Sequence, residues 1–282
     1  MATTTTPIVS RPSPAQWRDL DTVGKARRAA FYVVTVAILG LAALMMNAEL
    51  ALGITGWVAD LGIHQVHDMT IFGLLWLALV VPVALLLYRP VTRVNTVLAP
   101  VLFLVPVAVF AALAGSPILM LPLVFGTLGL VALVLHPAGR DLLRFDRVED
   151  PSRLLGGLLV VAVVPLLVYA GDQVIRQLTL ANDHVLFVHY AGMAVASGYV
   201  VVMGALAILR ERDWRFAAWS AGLVALLVGA TSILYTTESS AGLLWGSAAI
   251  VWAVVFVGAV EYTRRATDDE RETPRTTPTA SD

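Results

Sequence analysis

Residues 94–136 read VNTVLAPVLFLVPVAVFAALAGSPILMLPLVFGTLGLVALVLH, and this stretch decides the fold class. It carries no charged residue. A helix needs about 20 predominantly apolar residues to cross the hydrocarbon core. The runs 94–114 and 117–136 each supply that length and are joined only by Gly115 and Ser116, which predicts a tight helical hairpin in lipid. Working outward, equivalent runs occupy 29–52, 69–88, 154–174, 185–209, 216–235 and 241–262. The expectation is an all-α integral membrane protein with eight transmembrane helices. Pro82, Pro100, Pro106, Pro122 and Pro165 fall inside these runs as candidate kinks, which lipid-embedded helices tolerate.

Composition agrees. The 282 residues are 58% hydrophobic and 14% charged, against about 45–50% and about 25% in an average soluble domain, and the mean hydropathy is +0.80. That balance excludes a water-soluble enzyme and a nucleic-acid binder. The absence of cysteine excludes disulfides, thiol redox chemistry and an iron–sulfur cluster. Lys25 is the only lysine and precedes the first run, so no retinal Schiff base can form. No Walker A loop and no HExxH is present, and the basic residues lie between the runs, not within them. Nucleotide hydrolysis, embedded zinc proteolysis and voltage sensing are thereby set aside.

Orientation follows from loop charge, because Lys and Arg concentrate on the cytoplasmic side. With eight spans, 18 of the 19 basic residues share one side, and only Arg176 faces the other. Both termini are then cytoplasmic in the cell membrane. The expected organisation is a cytoplasmic segment 1–28, a first four-helix unit 29–136, a cytoplasmic loop 137–153, a second four-helix unit 154–262, and a disordered tail 263–282. A shift of about 122 residues superposes several polar positions: Glu49 on Asp172, Asp60 on Asp183, His67 on His189, Ser116 on Glu238, Arg89 on Arg210 and Arg93 on Arg215. Each unit has an even number of spans, so this register predicts two parallel repeats related by an axis along the membrane normal. Similar loop lengths alone would also align loop charges, and the paired His67 and His189 argue best against that explanation.

Polar chemistry gathers on the predicted outer side, where it suits cations. His64, His67, His184 and His189 lie there with Glu49, Asp60, Asp68, Asp172, Asp183 and Glu238. In His64-Gln-Val-His67-Asp68, a helix that begins one turn early places two imidazoles and a carboxylate on one face. Such a set suits zinc, copper(II) or iron. The second half offers Asp183, His184 and His189, whose two histidines can meet one ion only if a helix begins between them. Two facing imidazoles, His67 and His189, would also meet the ligand requirement of a b-type haem. Met69 and Met193 are candidate thioethers, although methionine in such helices usually packs. The plainer reading of the cluster is interfacial hydrogen bonding by the histidines and helix capping by Asp68 and Asp183. His136 reads as interfacial. Gly222 with Gly229, and Gly242 with Gly246, are spaced for close helix packing. Ser197, Thr231 and Ser232 should bond back to their own helices. Trp57, Trp214 and Trp219 read as interfacial aromatic residues.

The leading functional expectation is therefore an outer-face site for a divalent metal or haem iron, built from His64, His67, Asp68, Asp183, His184 and His189. It would serve metal handling or electron transfer, with the lipid bilayer and a metal ion as partners. A proton-coupled transporter and a non-catalytic membrane partner subunit are the alternatives. The membrane-embedded stretches hold almost no ionisable residue, which weighs against a transport site at the midplane.

Overall fold

The computed structural model describes residues 22–138 and 147–272. Among them the chain is helical, without a β-strand and with one isolated bridge, between Arg147 and Arg210. The helices are α1 (Thr22–Met45), α2 (Asn47–Thr55), α3 (Gln65–Leu74), α4 (Val81–Leu86), α5 (Leu98–Leu113), α6 (Met120–Leu135), α7 (Arg153–Thr179), α8 (Asp183–Leu186), α9 (His189–Leu209), α10 (Trp214–Leu234) and α11 (Gly242–Glu272). Seven helical stretches among the described residues are long and apolar enough to cross a membrane, as a multi-pass membrane protein requires.

The expected run 94–114 is the one that falls short. Its helix, α5, has 16 residues, about 24 Å at 1.5 Å per residue, against a hydrocarbon core of about 30 Å. Residues 94–97 form turns because a distant loop captures them. Asp213 Oδ2 accepts from the backbone N–H of Asn95 at 2.9 Å, the N–H of Thr96 at 2.7 Å and the Thr96 hydroxyl at 2.8 Å. The Asn95 amide donates to the carbonyls of Arg212 and Asp213 and accepts from Arg210. Buried polar groups must be paired, and here the pairing competes with helix formation and wins.

The hairpin turn is as expected. Gly115 takes a left-handed φ of +60°, its N–H bonds back to Ala112, and Ser116 N–H reaches Ala111. This is a Schellman closure, which glycine adopts without a Cβ penalty. The first expected run instead bends at Met46, between α1 and α2. The second passes through a π turn over Leu75–Val80, next to Pro82, which has no N–H to give the Ala78 carbonyl. Pro100 and Pro122 lie in the first turns of α5 and α6, where the N–H would have no helical partner, so they are not kinks.

At the ends, α1 begins seven residues before the expected run and α11 extends ten residues past Tyr262. Residues 273–282 of the expected tail, 1–21 of the N-terminal segment and 139–146 of the expected loop, with Arg140 and Arg144, lie outside the described residues.

Within the second half, α7 packs on α9, α9 on α10, α10 on α11 and α11 on α7; within the first, α1 packs on α6, α6 on α5, and α2 on α3. Across the halves α3 meets α9, α10 meets α3 and α5 meets α9. Most of α9 and α10 is buried, whereas α7 exposes Val160, Val161, Val164 and Val168 as a lipid-facing side would. The glycine spacing of α10 and α11 is used selectively. A Cβ on Gly229 would stand 2.6 Å from the Gly246 carbonyl oxygen, whereas Gly242 serves a turn at φ +75°. Gly229→Ala is therefore expected to force the two backbones apart at a cost of about 1–3 kcal/mol. Gly258→Ala on the open side of α11 meets nothing and should leave stability unchanged or raise it slightly. Thermal unfolding of the two variants in detergent checks the contrast.

Candidate metal centre

Four histidines from two segments over a hundred residues apart meet at one end of the bundle. His64 closes a 3-10 turn, Gly62–His64, that runs directly into α3. This is the early helix start that places His64, His67 and Asp68 together. The buried Gln65 fastens it, accepting from Leu61 N–H at 2.7 Å and donating to the carbonyls of Gly56 and Ala59 at 3.0 Å each. On the other side, Asn182 caps α8 by accepting from Val185 N–H. The chain then turns through Val188, which holds a left-handed φ of +54°. A β-branched residue pays for that conformation, and it restarts the helix at His189. Gln177 spans the break, donating to the Val185 carbonyl and accepting from Ala191 N–H. A helix does begin between His184 and His189, so both turn inward.

The rings lie in mutual contact. His64 stacks on His184 with centroids 4.5 Å apart and meets His189 at 5.1 Å; His67 meets His184 at 4.7 Å and stacks on His189 at 5.3 Å. His64 Nδ1 and His189 Nδ1 face each other at 3.2 Å. His64, His184 and His189 can each bring one ring nitrogen within 4.8 Å of the others. His67 is wholly buried, and its Nδ1, like His184 Nε2, has no hydrogen-bond partner among the described residues.

Hydrogen-bond logic identifies which nitrogens carry lone pairs. Asp172 Oδ2 accepts from the Gln173 amide N–H at 3.0 Å, so Gln173 Oε1 faces Ser239 and accepts a hydrogen bond from its hydroxyl at 2.8 Å. Ser239 Oγ must then accept from His67 Nε2, which leaves the lone pair of a neutral His67 on Nδ1, toward the cluster. His189 Nε2 lies 3.6 Å from Asp68 Oδ1. A proton held there frees His189 Nδ1 to face His64, the carboxylate–histidine arrangement that orients metal-binding imidazoles. Burial first, then the neighbouring His64 ring, hold His184 below the ordinary histidine pKa, against the opposing pull of Glu238, the Ile63 backbone and Asp183. The neutral form, the one that binds metals, is favoured.

No family model, curated protein or solved structure matches this chain. The site's chemistry therefore rests on its own residues.

Of the residues singled out from sequence, His64, His67, Asp68, His184 and His189 come together. Asp183 is exposed at the start of α8 and reaches the cluster only through its charge on His184. Glu49 lines a cavity beside Asp68 and His189, Asp172 pairs with Arg176 at 2.8 Å, Asp60 closes a turn on Gly62 N–H, and Glu238 accepts from the Tyr190 hydroxyl. Met69 packs its sulfur over Gly56, and Met193 is core. Ser197 and Thr231 bond back to their own helices, and Thr231 also meets Thr70. His136 is fully buried against Phe31 at the opposite, arginine-rich end. Sequence reading missed Ser239, Gln173, Tyr169 and Tyr190. Tyr169 donates to the Ser239 carbonyl, and Tyr190 stacks on His184. Neutral polar residues, in apolar helices or in the turn between α10 and α11 that holds Ser239, give no local sign of such roles.

Proposed function

We propose that the protein holds a transition-metal ion through His64, His184 and His189 at the outer end of an eight-span bundle, for metal handling or electron transfer at the membrane. The observation that carries this reading is the convergence of three imidazole nitrogens, with His184 Nε2 unpartnered among the described residues and His64 Nδ1 facing His189 Nδ1. Two nitrogens bound to one tetrahedral ion at about 2.0–2.1 Å stand roughly 3.3 Å apart, close to the 3.2 Å between His64 Nδ1 and His189 Nδ1. His67 Nδ1 waits beside the triad, and Asp68 orients His189. A bare ion such as zinc or copper suits the cluster better than haem. His67 and His189 stack face to face, with His184 packed against both and His64 against His189, and leave no slot for a flat macrocycle. Metal analysis and an absorbance spectrum of the purified protein test this. About one ion per chain without a Soret band is expected, and a protein that neither carries nor takes up zinc or copper overturns it.

Binding should follow pH through the imidazoles. Each must be neutral to bind, and His184 titrates below the ordinary value. Zinc affinity in equilibrium dialysis is therefore expected to stay flat down through the ordinary histidine range near about pH 6.5 and to fall only in more acid solution. A fall that is already complete at about pH 6.5 would speak against buried, neutral imidazoles as the ligands.

In this reading α5 is the eighth span, short but paired with α6, and the halves 29–136 and 154–262 are parallel repeats. The reciprocal packing of α3 on α9, and of α10 on α3 with α5 on α9, supports an axis along the membrane normal. The charge split supports cytoplasmic termini, with 1–28, 137–153 and the tail on that side. Reporter fusions after Leu180 or Thr237 should read outside, and those after Arg93, Asp150, Arg212 or Arg265 inside. An external signal from Asp150 would refute the topology.

A further inference from the structure

The histidine cluster has two unlike sides. Toward His67 the space is closed by Ser239, Gln173 and Tyr190, all buried and hydrogen-bonded. Toward His189 it opens on a cavity of about 300 Å³. Glu49, Asp68 and His189 sit at its polar end, and every other lining residue is apolar, with Phe72, Phe103 and Leu121 among them. It runs down α3 from Asp68 to Leu75 just beyond its end, about 10 Å at the helical rise. Ligand pockets of roughly 300–1,000 Å³ combine an apolar lining with a few convergent polar groups in this way.

The lining restricts the occupant. Glu49 and Asp68 present carboxyl oxygens at the polar end, acceptors that a ligand head with hydroxyl donors can pair. Phe72 and Phe103 offer flat apolar faces, which suit a ring. The remaining apolar length suits a hydrocarbon tail. A neutral donor is also far cheaper than a cation to bring to such an apolar place. We propose that this cavity binds the head of a lipophilic hydroquinone, its hydroxyls donating to Asp68 and Glu49 and its ring against Phe72 and Phe103. The site shares Asp68 and His189 with the metal reading but does not need the ion. Where an ion is bound, it places the ring hydroxyls beside a metal-ligating imidazole.

Calorimetric titration of the full chain in lipid nanodiscs tests this, against empty nanodiscs as reference. The probe is 2-decyl-1,4-benzohydroquinone, under argon, with protein that is either zinc-loaded or chelator-treated. Saturable binding of one molecule per chain is expected in both states. The 1,4-dimethoxy ether of the probe, with the same ring and tail but no donors, should bind at least about tenfold more weakly, as should the hydroquinone to Asp68→Asn, since the ether lacks the donors and the amide replaces one carboxyl oxygen acceptor by a donor. Leu121→Trp, which fills the cavity away from the imidazoles, should abolish binding and keep its zinc. Equal binding of the ether, tighter binding of decylammonium, or no saturable binding overturns the proposal. The ether comparison uses the unaltered protein and stands even if a variant fails to fold. Zinc uptake without hydroquinone binding defeats this proposal alone, whereas hydroquinone binding by a protein that takes up no zinc or copper defeats only the metal reading.

Discussion

Replacing His64, His184 and His189 together by alanine is expected to reduce bound zinc or copper from about one ion per chain to background. The three supply the nitrogens that converge within 4.8 Å, and with all three gone His67 alone cannot hold an ion that takes four ligands. His189→Ala alone removes the nitrogen that faces His64 and should weaken binding by more than about 100-fold. Asp68→Asn leaves every ligand in place and alters only the group that orients His189. Losses of this kind are about 10–100-fold, so it should fall between His189→Ala and the unaltered protein. Asp68 is in this sense a positioning residue, and the ordering of the two variants distinguishes it from a ligand. His136→Ala, at the opposite end, should retain the metal in full. Elemental analysis and zinc titration read all four. A triple variant that binds as the unaltered protein does would reduce the cluster to packed interfacial histidines.

The second large effect is expected at the arginine-rich end. Asp213 is almost wholly buried, lies 3.5 Å from Arg93, and satisfies three donors of Asn95 and Thr96. It ties the loop before α10 to the loop before α5, and thus the second half to the first. Asp213→Ala leaves those donors and the Arg93 guanidinium without their acceptor. Stranding three buried donors at about 1–3 kcal/mol each, beside a partly exposed Arg93, costs on the order of 3–5 kcal/mol, a drop in unfolding midpoint on the order of 10 °C. Part of that cost is backbone. Asp213 adopts a left-handed φ of +56°, a conformation that costs alanine about 1–2 kcal/mol and glycine nothing. Asp213→Gly should therefore melt above Asp213→Ala and still well below the unaltered protein. Midpoints for Asp213→Ala within 2 °C of the unaltered protein would show that the latch carries no load.

Some of the architecture was legible because it depends on one solvent. Whether a segment sits in lipid follows from its own side chains, residue by residue, and the hairpin at Gly115 follows from a local backbone need. The early start at His64 also shows locally, because His64, His67 and Asp68 share a face as soon as the helix includes them. The shortening of α5 was not legible. Asn95 and Thr96 look like ordinary polar residues at a helix start until Asp213, more than a hundred residues away, is seen to hold them. Ser239 and Gln173 were hidden for the same reason, since neutral polar groups declare no role until a partner faces them.

The sequence alone therefore determined the helical class, the apolar runs and the presence of four histidines at one end. Only the tertiary structure decided that these histidines meet, through the break at Val188 and the packing of α3 on α9. It also decided which of their nitrogens stay unpaired. The physical reason is range. Transfer of apolar surface out of water is nearly additive along a chain, whereas coordination demands sub-ångström placement of atoms that the chain itself holds far apart.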